Sequence, residues 1–390
     1  MVEVIEHIVK KYNAEVMVNE EVRREIGWQR KLGITENSLI KTSTITVRIK
    51  SAATGRLEDW RDVVKQAMKG RSNRDYPGPS KVKPKNFYMG KEIREEQLNK
   101  IQETMLRIRP LQFGYAAHTT KTVYANYNGV MAEDIITLHS ISAELKNKNY
   151  SVWLDDSSPN PIDVEQFIER LKFRLEQGKR TEKAKTGKYK VIITEEAAYE
   201  ILQPFIEATH ADKIMKNKSV LKLGSIVAPK ELTIVNKPIT KWGVRSESFD
   251  SEGTPTKETT IIKNGKFVNM LHDNTTAKHF GAKSTGNSAS MAEKPSVDEQ
   301  NILIKPGSKP VDADITVYSI MGEHTINETT GDFSLPIVHA YNAKSKKAIV
   351  HTMISGNVFE MVKDMKLDNK VFIYNGLKSP RILTTLTFVS

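Results

Sequence analysis

The spacing of apolar residues changes along this chain, and that change constrains its fold more than any single motif does. In the first half, apolar residues recur three and four apart over 2–12 and 163–177, which is the spacing of amphipathic helices. Between such stretches, 44–50 has an apolar residue at every second position, as a half-buried strand does. From about Leu221 onward the pattern is mostly that of strands, for example over 259–271. We therefore expect an α+β fold, with an N-terminal α/β-mixed domain and a C-terminal domain dominated by antiparallel β-sheet.

A polar run over 178–188 separates the two halves and predicts the domain boundary. We expect an N-terminal α+β domain over 1–180 and a C-terminal, mainly β domain over 188–390. A length of 390 residues agrees with two or three domains of ordinary size. The N-terminal domain also contains a basic, proline-rich stretch at about 70–91, which predicts a long loop.

The chain is basic, because 59 lysines and arginines outnumber 47 acidic residues and give a net charge of +12. The excess is concentrated at 65–91 and 179–190, which also contain proline or glycine. This pattern favours solvated loops over a specific nucleic-acid surface. No apolar run approaches the roughly 18 residues of a membrane-spanning helix, and the N-terminus lacks the apolar segment of a signal peptide. We therefore expect a cytoplasmic protein with no membrane partner.

The chain contains no cysteine, which excludes disulfides, iron–sulfur clusters, thiolate-bound zinc and cysteine nucleophiles. A metal site would have to use imidazole and carboxylate groups, but the nine histidines are scattered and no H-E-x-x-H motif occurs. Glu207 and His210 are three residues apart in the helix that the pattern predicts after the first strand of the second half. Their side chains could meet there, although such a pair is usually a surface contact.

Several sections of the second half resemble the TldD/PmbA family in their order and spacing, over about 185–390. These sections are Asp250-Ser-Glu-Gly-Thr-Pro255, Leu271-His-Asp273, Ser284-Thr-Gly-Asn287, Thr330-Gly-Asp-Phe-Ser334 and Ile354-Ser-Gly-Asn357. Within them, the polar residues that we expect to line a peptide cleft are Asp250, Glu252, His272, Asn287 and Asp332.

Active TldD-type subunits are similar to zinc peptidases with H-E-x-x-x-H on the helix after the first strand of the second domain. Two histidines and a later cysteine hold zinc there, and the glutamate is the general base. The corresponding helix, predicted here over 195–211, keeps Glu207, but Ile206 and Ala211 stand where the histidines are expected. His210 is one position short of the second histidine, and the cysteine is absent. The resemblance therefore implies a degenerate motif, with no catalytic residue and no metal ligand in this chain.

This pattern is similar to the TldE/PmbA side of the family, whose members resemble inactive partners of a metal-bearing TldD-like subunit. We therefore expect a non-catalytic subunit of a TldD/TldE-type zinc metalloprotease, in a heterodimer with a TldD-like subunit or in a homodimer. Zinc is expected in the partner only, and the substrate is a peptide.

Two alternatives remain open. The chain could itself be a metallopeptidase with a shifted site built from His210, Glu207 and a third ligand such as His272. It could instead be a nucleic-acid or regulatory binding protein, which the net charge of +12 and the family's description as a gyrase modulator would favour. No stacking platform of aromatic residues accompanies the basic stretches, and this counts against the second alternative.

Overall fold

Two β-sheets organise the chain, one built from each half. The computed structural model describes residues 1–72, 75–291, 294 and 296–390. The expected α+β class, with a C-terminal part dominated by antiparallel sheet, is confirmed. The basic stretch at 70–91 has only one short strand in its described part, and positions 73 and 74 of that predicted loop lie outside the described residues.

The described part of the first half contains four α-helices and seven strands. In chain order they are α1 (Val2–Tyr12), β1 (Glu15–Gln29), β2 (Ile34–Arg48), β3 (Ala52–Arg56), α2 (Trp60–Lys69), β4 (Phe87–Met89), α3 (Glu95–Arg107), β5 (Gln112–Asn126), β6 (Met131–Lys146), β7 (Ser151–Ser158) and α4 (Val164–Gln177).

These strands form one sheet in the order β3-β2-β1-β5-β6-β4, with β7 also paired to β6. Strand β1 pairs antiparallel with both β2 and β5 along all of its fifteen residues. Because side chains alternate between the faces of a strand, the even-numbered residues of β1 share one face. On that face Val16 and Val18 are buried with Ile8 of α1, and Ile26 is buried with Phe167 of α4. The odd-numbered residues of β1 point to the opposite face, called the open face below.

The described part of the second half contains four α-helices and twelve strands. In chain order they are β8 (Thr181–Glu182), β9 (Gly187–Ile193), α5 (Glu195–Glu207), α6 (Ala211–Met215), β10 (Ile234–Lys237), β11 (Thr259–Lys263), β12 (Lys266–Phe267), α7 (Asn274–His279), β13 (Asn301–Ile304), β14 (Ile315–Ile320), β15 (Asp332–Asn342), β16 (Lys347–Ile349), β17 (Met353–Asn357), α8 (Val358–Asp364), β18 (Lys366–Tyr374) and β19 (Leu377–Val389).

The second sheet runs in the order β12-β11-β10-β13-β19-β9-β14-β15-β16-β8, with β17 and β18 paired to β19. Most of its neighbouring strands are antiparallel, and β9 lies in the middle between β19 and β14. Helix α5 follows β9 directly and packs its apolar side, including Ile201 and Phe205, into the main core of this half. Glu195 and Glu196 lie in the first turn of α5, where negative charge stabilises a helix.

The helix predicted over 195–211 is shorter than expected, because α5 ends at Glu207 and α6 begins only at Ala211. His210 lies between them with an extended backbone (φ −72°, ψ 135°) and forms a bridge with Leu271. The hydroxyl of Thr209 donates a 2.6 Å hydrogen bond to the carbonyl of Ile206 and so satisfies one of the free carbonyl groups at the helix end. The prediction that Glu207 and His210 share one helix was therefore wrong.

No helix in the part of the chain that the structure describes is both long and apolar enough to cross a membrane.

Candidate functional site

The open face of the first sheet forms one wall of a cleft between the two halves of the chain. Its residues on β5 and β6 face the cleft in register, for example Thr122 beside Asp134. The opposite wall consists of loops from the second half, at 244–251, 287–289 and 298–300. These walls enclose a cavity of about 380 Å³.

The predicted cleft residue Asp250 lies in this cavity wall and holds together the loop around it. Its Oδ1 accepts hydrogen bonds of 2.9 Å from the backbone N–H groups of Glu252 and Thr254. Its Oδ2 accepts a further 2.9 Å bond from the N–H of Ser288. Burial raises the pKa of Asp250 to about 7, although these three backbone donors favour the charged form. Asp250 therefore joins two loops of the cleft wall at their backbones.

Glu252 lies behind that wall and connects it to the first sheet. Its Oε1 is 3.6 Å from the Nη1 of Arg48, and the same nitrogen is 3.3 Å from the Oε1 of Glu15. The hydroxyls of Tyr76 and Tyr124 each donate a 2.9 Å hydrogen bond to the Oε2 of Glu15. Burial raises the pKa of Glu252 well above its usual range, with the charge of Asp250 adding to the effect. This buried cluster attaches the Asp250 loop to the ends of β1 and β2.

Asn287 also lies in the cavity wall, whereas His272 lies behind it. The side-chain amide of Asn287 donates to the carbonyl of Asp298 at 2.8 Å and to the Oε1 of Gln300 at 2.9 Å. The backbone carbonyl of His272 accepts hydrogen bonds from the N–H groups of Thr285 and Asn287, and so orients the loop that carries Asn287. Burial lowers the pKa of His272 to about 4, which keeps the ring neutral.

Asp332 lies apart from the other four predicted cleft residues. It is exposed at the start of β15 and pairs with Asn357 of β17 in the sheet. Its carboxylate accepts a 2.8 Å hydrogen bond from the Nδ2 of Asn357 and a 2.7 Å bond from the hydroxyl of Thr330. The structure therefore brings Asp250, Glu252, His272 and Asn287 into one region and leaves Asp332 outside it.

The four residues of the predicted degenerate motif have separate environments at the end of α5. Ile206 is buried in the apolar core, and Ala211 starts α6 with its backbone N–H bonded to the carbonyl of Leu271. The carboxylate of Glu207 is 3.1 Å from the Nζ of Lys213. Glu207 and His210 both line a cavity of about 360 Å³, but the ring of His210 contacts Glu299, which the sequence analysis did not select.

The His210 ring belongs to an ion cluster, called the His210–Glu299 cluster, in which His210 and Glu299 are buried and Arg245 and Asp298 are partly exposed. The Nε2 of His210 is 3.1 Å from the Oε2 of Glu299, and both side chains are only 2% exposed. The Nη1 of Arg245 lies 2.9 Å from the other oxygen of Glu299, while its Nη2 contacts Asp298. Burial opposes protonation of His210, but the hydrogen bond and charge of Glu299 outweigh it and raise the pKa of the ring. For Glu299 burial acts in the opposite direction, yet its cationic partners hold its pKa far below the usual range.

A catalytic zinc ion needs three protein ligands around one point. The described residues contain no group of three or more histidine, aspartate or glutamate side chains arranged to hold an ion. The shifted set of His210, Glu207 and His272 is not brought together, because each side chain has another partner. His210 faces Glu299, Glu207 faces Lys213, and the Nδ1 of His272 is 3.3 Å from the hydroxyl of Thr276.

The sequence analysis missed most of the charged residues at this site. Arg245, Glu247 and Glu299 lie close to the recognised sections in the chain, and the polar triplet Asp298-Glu299-Gln300 directly precedes the apolar strand β13. That abrupt change from charged to apolar residues was a usable signal. Glu15 and Arg48 lie in the first half of the chain, about two hundred residues or more before these sections, and had no comparable signal.

Comparison with protein families supports the sequence resemblance. Residues 186–389 match a family model described as the PmbA/TldA metallopeptidase C-terminal domain, and this match covers just over half of the chain. An uncharacterized protein of Methanocaldococcus jannaschii is 28% identical over 79% of this chain and 78% of its own length. A metalloprotease PmbA homolog of Buchnera aphidicola subsp. Baizongia pistaciae is 26% identical over 70% of this chain, but the match spans only 58% of that protein.

Solved structures with a similar fold cover the whole chain. TldE from Thermococcus kodakarensis superposes with a TM-score of 0.82 at 18% identity, over 100% of both chains. A Thermotoga maritima protein described as a putative modulator of a DNA gyrase also reaches 0.82 at 20% identity, over 100% of this chain and 99% of its own. At such identities the likeness shows a shared fold and no more.

Proposed function

The chain belongs to the PmbA/TldD metallopeptidase family, and from this premise we propose that it is the non-catalytic, TldE/PmbA-like subunit of a two-subunit zinc peptidase. Its role is to supply part of the wall of a peptide-binding chamber, while a TldD-like partner holds the zinc. The zinc of that partner supplies an activated water for hydrolysis. The residues of the present chain bind and orient the peptide and exclude bulk water.

The residues at the end of α5 are the main support for this proposal. The two positions that correspond to the histidine ligands of TldD-type subunits are Ile206 and Ala211, which have no donor atom in their side chains. The neighbouring His210 is committed to Glu299, whose second oxygen is held by Arg245. A divalent cation beside that carboxylate would be repelled by the guanidinium group. We infer that these residues do not fit a zinc ion, and we assign no catalytic step to them.

The open face of the first sheet supports a peptide-binding role. Strand β1 is fifteen residues long, which corresponds to roughly 50 Å of extended chain. The cavity of about 380 Å³ lies toward one end of this face, and a second cavity of about 830 Å³ lies toward the other. At the larger cavity, neighbouring strands carry small residues such as Gly27, Gly114 and Ser142, which leave room for a second backbone. An extended peptide therefore fits along this face.

Metal analysis beside a peptide-cleavage assay on the isolated chain tests the proposal. We expect no stoichiometric zinc, no cleavage and no response to chelators, with cleavage appearing only after a metal-bearing TldD-like subunit is added. Replacing the glutamate of the H-E-x-x-x-H motif in that partner should abolish the activity. One zinc per isolated chain, with chelator-sensitive cleavage that is lost in His210→Ala, would instead establish the shifted-site enzyme.

A double variant provides a matched control for the missing ligands. Ile206→His with Ala211→His restores two imidazoles, but a catalytic zinc site needs a third protein ligand. We expect this variant to bind zinc weakly and to remain inactive alone. Tight zinc binding with cleavage by the double variant would mean that the site is complete except for those two side chains.

Light scattering tests the assembly. Because one subunit cannot enclose a chamber alone, we expect a dimer, and a preference for the heterodimer when a TldD-like subunit is present. If the chain is a monomer both alone and with a TldD-like subunit, the proposal that it forms part of a chamber is contradicted.

A further inference from the structure

We infer that the cavity of about 380 Å³ between the two halves receives the basic side chain, lysine or arginine, of a bound peptide. This inference rests on the proposed peptide-binding function and adds to it the class of peptide. It gives the cleft a preference for positive charge although the chain as a whole carries a net charge of +12.

The first reason is an imbalance of charge in the cavity wall. The described lining residues include five carboxylates and one basic side chain, Arg245. The guanidinium of Arg245 already forms ion pairs with Asp298 and Glu299. The remaining three carboxylates, Asp134, Glu247 and Asp250, have no cationic side chain within ion-pair distance among the described residues. We call these three the cleft carboxylates.

Within the described residues, the hydrogen-bond donors to each cleft carboxylate are neutral groups. Asp134 accepts hydrogen bonds from the backbone N–H and the hydroxyl of Ser248. Glu247 accepts a 2.7 Å bond from the side-chain amide of Gln300, and Asp250 is bonded to backbone N–H groups. These contacts fix the positions of the carboxylates without neutralising them. A cation that entered the cavity would therefore meet acceptors that are already oriented.

The second reason is an unsatisfied acceptor in the same wall. Asn287 is 1% exposed and lines the cavity, and its Oδ1 has no hydrogen-bond partner within the described chain. Both hydrogens of its amide are used, by the carbonyl of Asp298 and by Gln300, so the direction of the side chain is set. A buried acceptor without a partner costs free energy. An ammonium or guanidinium donor would satisfy it.

The third reason is the apolar part of the wall, which distinguishes a basic side chain from a bare metal ion. Met17, Ile136, Leu138 and Phe249 line the cavity beside the carboxylates. Lysine and arginine bury their methylene stems against apolar surface while the charged head binds polar groups. A metal ion would gain nothing from that surface, and the described residues form no metal-binding group.

The protonation of the cavity agrees with this picture. Burial raises the pKa of Glu247 to about 8, with Asp250 and Asp134 adding to the shift and Gln300 and Arg245 opposing it. Burial likewise raises the pKa of Asp134. The empty cavity therefore retains protons that a cationic ligand would displace, so binding should release protons and strengthen as the pH rises from about 6 to 8.

Fluorescence anisotropy with the full chain tests the inference. The probes are three short peptides with blocked termini that differ only in a central lysine, glutamine or glutamate. We expect the lysine peptide to bind about tenfold more tightly than the glutamine peptide at low salt, and the glutamate peptide to bind least. The preference should shrink when the salt concentration is raised from about 50 to 300 mM.

A variant pair assigns the preference to the cavity. Glu247→Gln keeps the oxygen that accepts from Gln300 and removes the charge, so the tenfold preference should fall to less than about threefold. The affinity for the lysine peptide should fall by more than any change in the affinity for the glutamine peptide. The control is Glu182→Gln on β8, outside the cleft, because Glu182 is a partly buried carboxylate that accepts hydrogen bonds from Asn342 and Ser345 and, unlike the cleft carboxylates, also lies 3.8 Å from the Nζ of Lys347.

The possible outcomes distinguish the preference for a basic side chain from the peptide-binding function on which it rests. Equal affinity for the three peptides would overturn the inference and leave peptide binding intact. Tight binding of a lysine-free peptide only when its N-terminal amine is unblocked would also overturn it, because the cation would then be a chain end. Failure of every peptide to bind would overturn the peptide-binding function itself.

Discussion

Two groups of carboxylates line the cleft between the two halves of the chain, and they differ in how their charge is balanced. In the His210–Glu299 cluster, two acids meet an imidazole and a guanidinium at ion-pair distance. In the described part of the chain, the three cleft carboxylates accept hydrogen bonds from neutral donors. The charge of the first group is balanced by other side chains of the cluster, whereas the charge of the second is balanced by bound protons or by a cation from outside the chain.

This difference separates a structural role from a binding role. Where cationic partners outweigh burial, the pKa of a carboxylate is lowered and the ionised group contributes to stability, as for Glu299. The pKa of Asp298 in the same cluster is raised, because burial and the charge of Glu299 outweigh Arg245. A buried carboxylate without cationic partners has a raised pKa and destabilises the fold when it ionises, as Glu247 does. We therefore expect variants of the first group to affect folding, and variants of the second to affect binding and the pH dependence of stability.

The largest effect is expected for Glu299→Gln. This change leaves His210 and Arg245 with less compensating charge in a buried position, so the free energy of unfolding should fall by about 3 kcal/mol. Denaturant unfolding measures it. The control is Glu328→Gln, which removes a largely exposed partner of Lys213 and should cost no more than about 0.5 kcal/mol. Equal losses in both variants would remove the distinction between a balanced cluster and an ordinary surface pair.

A smaller loss is expected for Gly253→Ala in the loop that carries Asp250. Gly253 has a φ of +66°, and a Cβ there would lie 1.9 Å from the ring of Tyr124. The left-handed backbone alone costs about 1–2 kcal/mol for alanine, and the contact adds to it. Gly224→Ala is the matched control, since Gly224 has a φ of +87° with nothing within 4 Å. If the free energy of unfolding falls equally in both variants, the close approach of Gly253 to the ring of Tyr124 does not affect stability.

The pH dependence of stability distinguishes the two groups directly. The pKa of Glu247 in the folded chain, about 8, lies above its ordinary value of 4.5. Between these values the folded chain holds a proton that the unfolded chain has released, so stability falls as the pH rises through this interval. Glu247→Gln should flatten that decline by up to about 1 kcal/mol per pH unit. Unfolding midpoints measured across the interval test it, and an unchanged slope would show that Glu247 is not the group that holds the proton.

The smallest effect is expected for Glu207→Gln. Glu207 is the one residue of the family motif that this chain retains, but among the residues that the structure describes its carboxylate contacts partly exposed Lys213 and the amide of Gln203. Thermal stability should change by less than about 0.5 kcal/mol, and peptide binding should not change. A loss of several kcal/mol, or of all activity in the complex, would show that this carboxylate has a function in the present chain.

Local pattern was sufficient for much of the fold and for part of the site. The helical spacing at 2–12 and 163–177 corresponds to α1 and α4 almost residue for residue, because an amphipathic helix is specified by neighbours three and four apart. The section around Asp250 and the one ending at Asn287 were recognisable as sequence, and the fold brings them together through the bond from the Ser288 N–H to Asp250.

Other features depended on residues that are distant in sequence. The end of α5 was placed too late, because apolar residues continue in helical spacing beyond Glu207 and the bridge between His210 and Leu271 is not visible locally. Asp332 has the same residue type and the same kind of motif as Asp250, yet its strand lies on another part of the second sheet.

The sequence by itself therefore determined the α+β class, the family and the absence of histidines at positions 206 and 211, since these depend on residue identity and short-range periodicity. Only the tertiary structure decided which charges are balanced. Arg245 and His210 reach Glu299 across 54 and 89 positions of the chain, and Arg48 reaches Glu252 across 204. Coulomb interactions depend on distance in space and on burial, and neither quantity can be read from the order of residues along the chain.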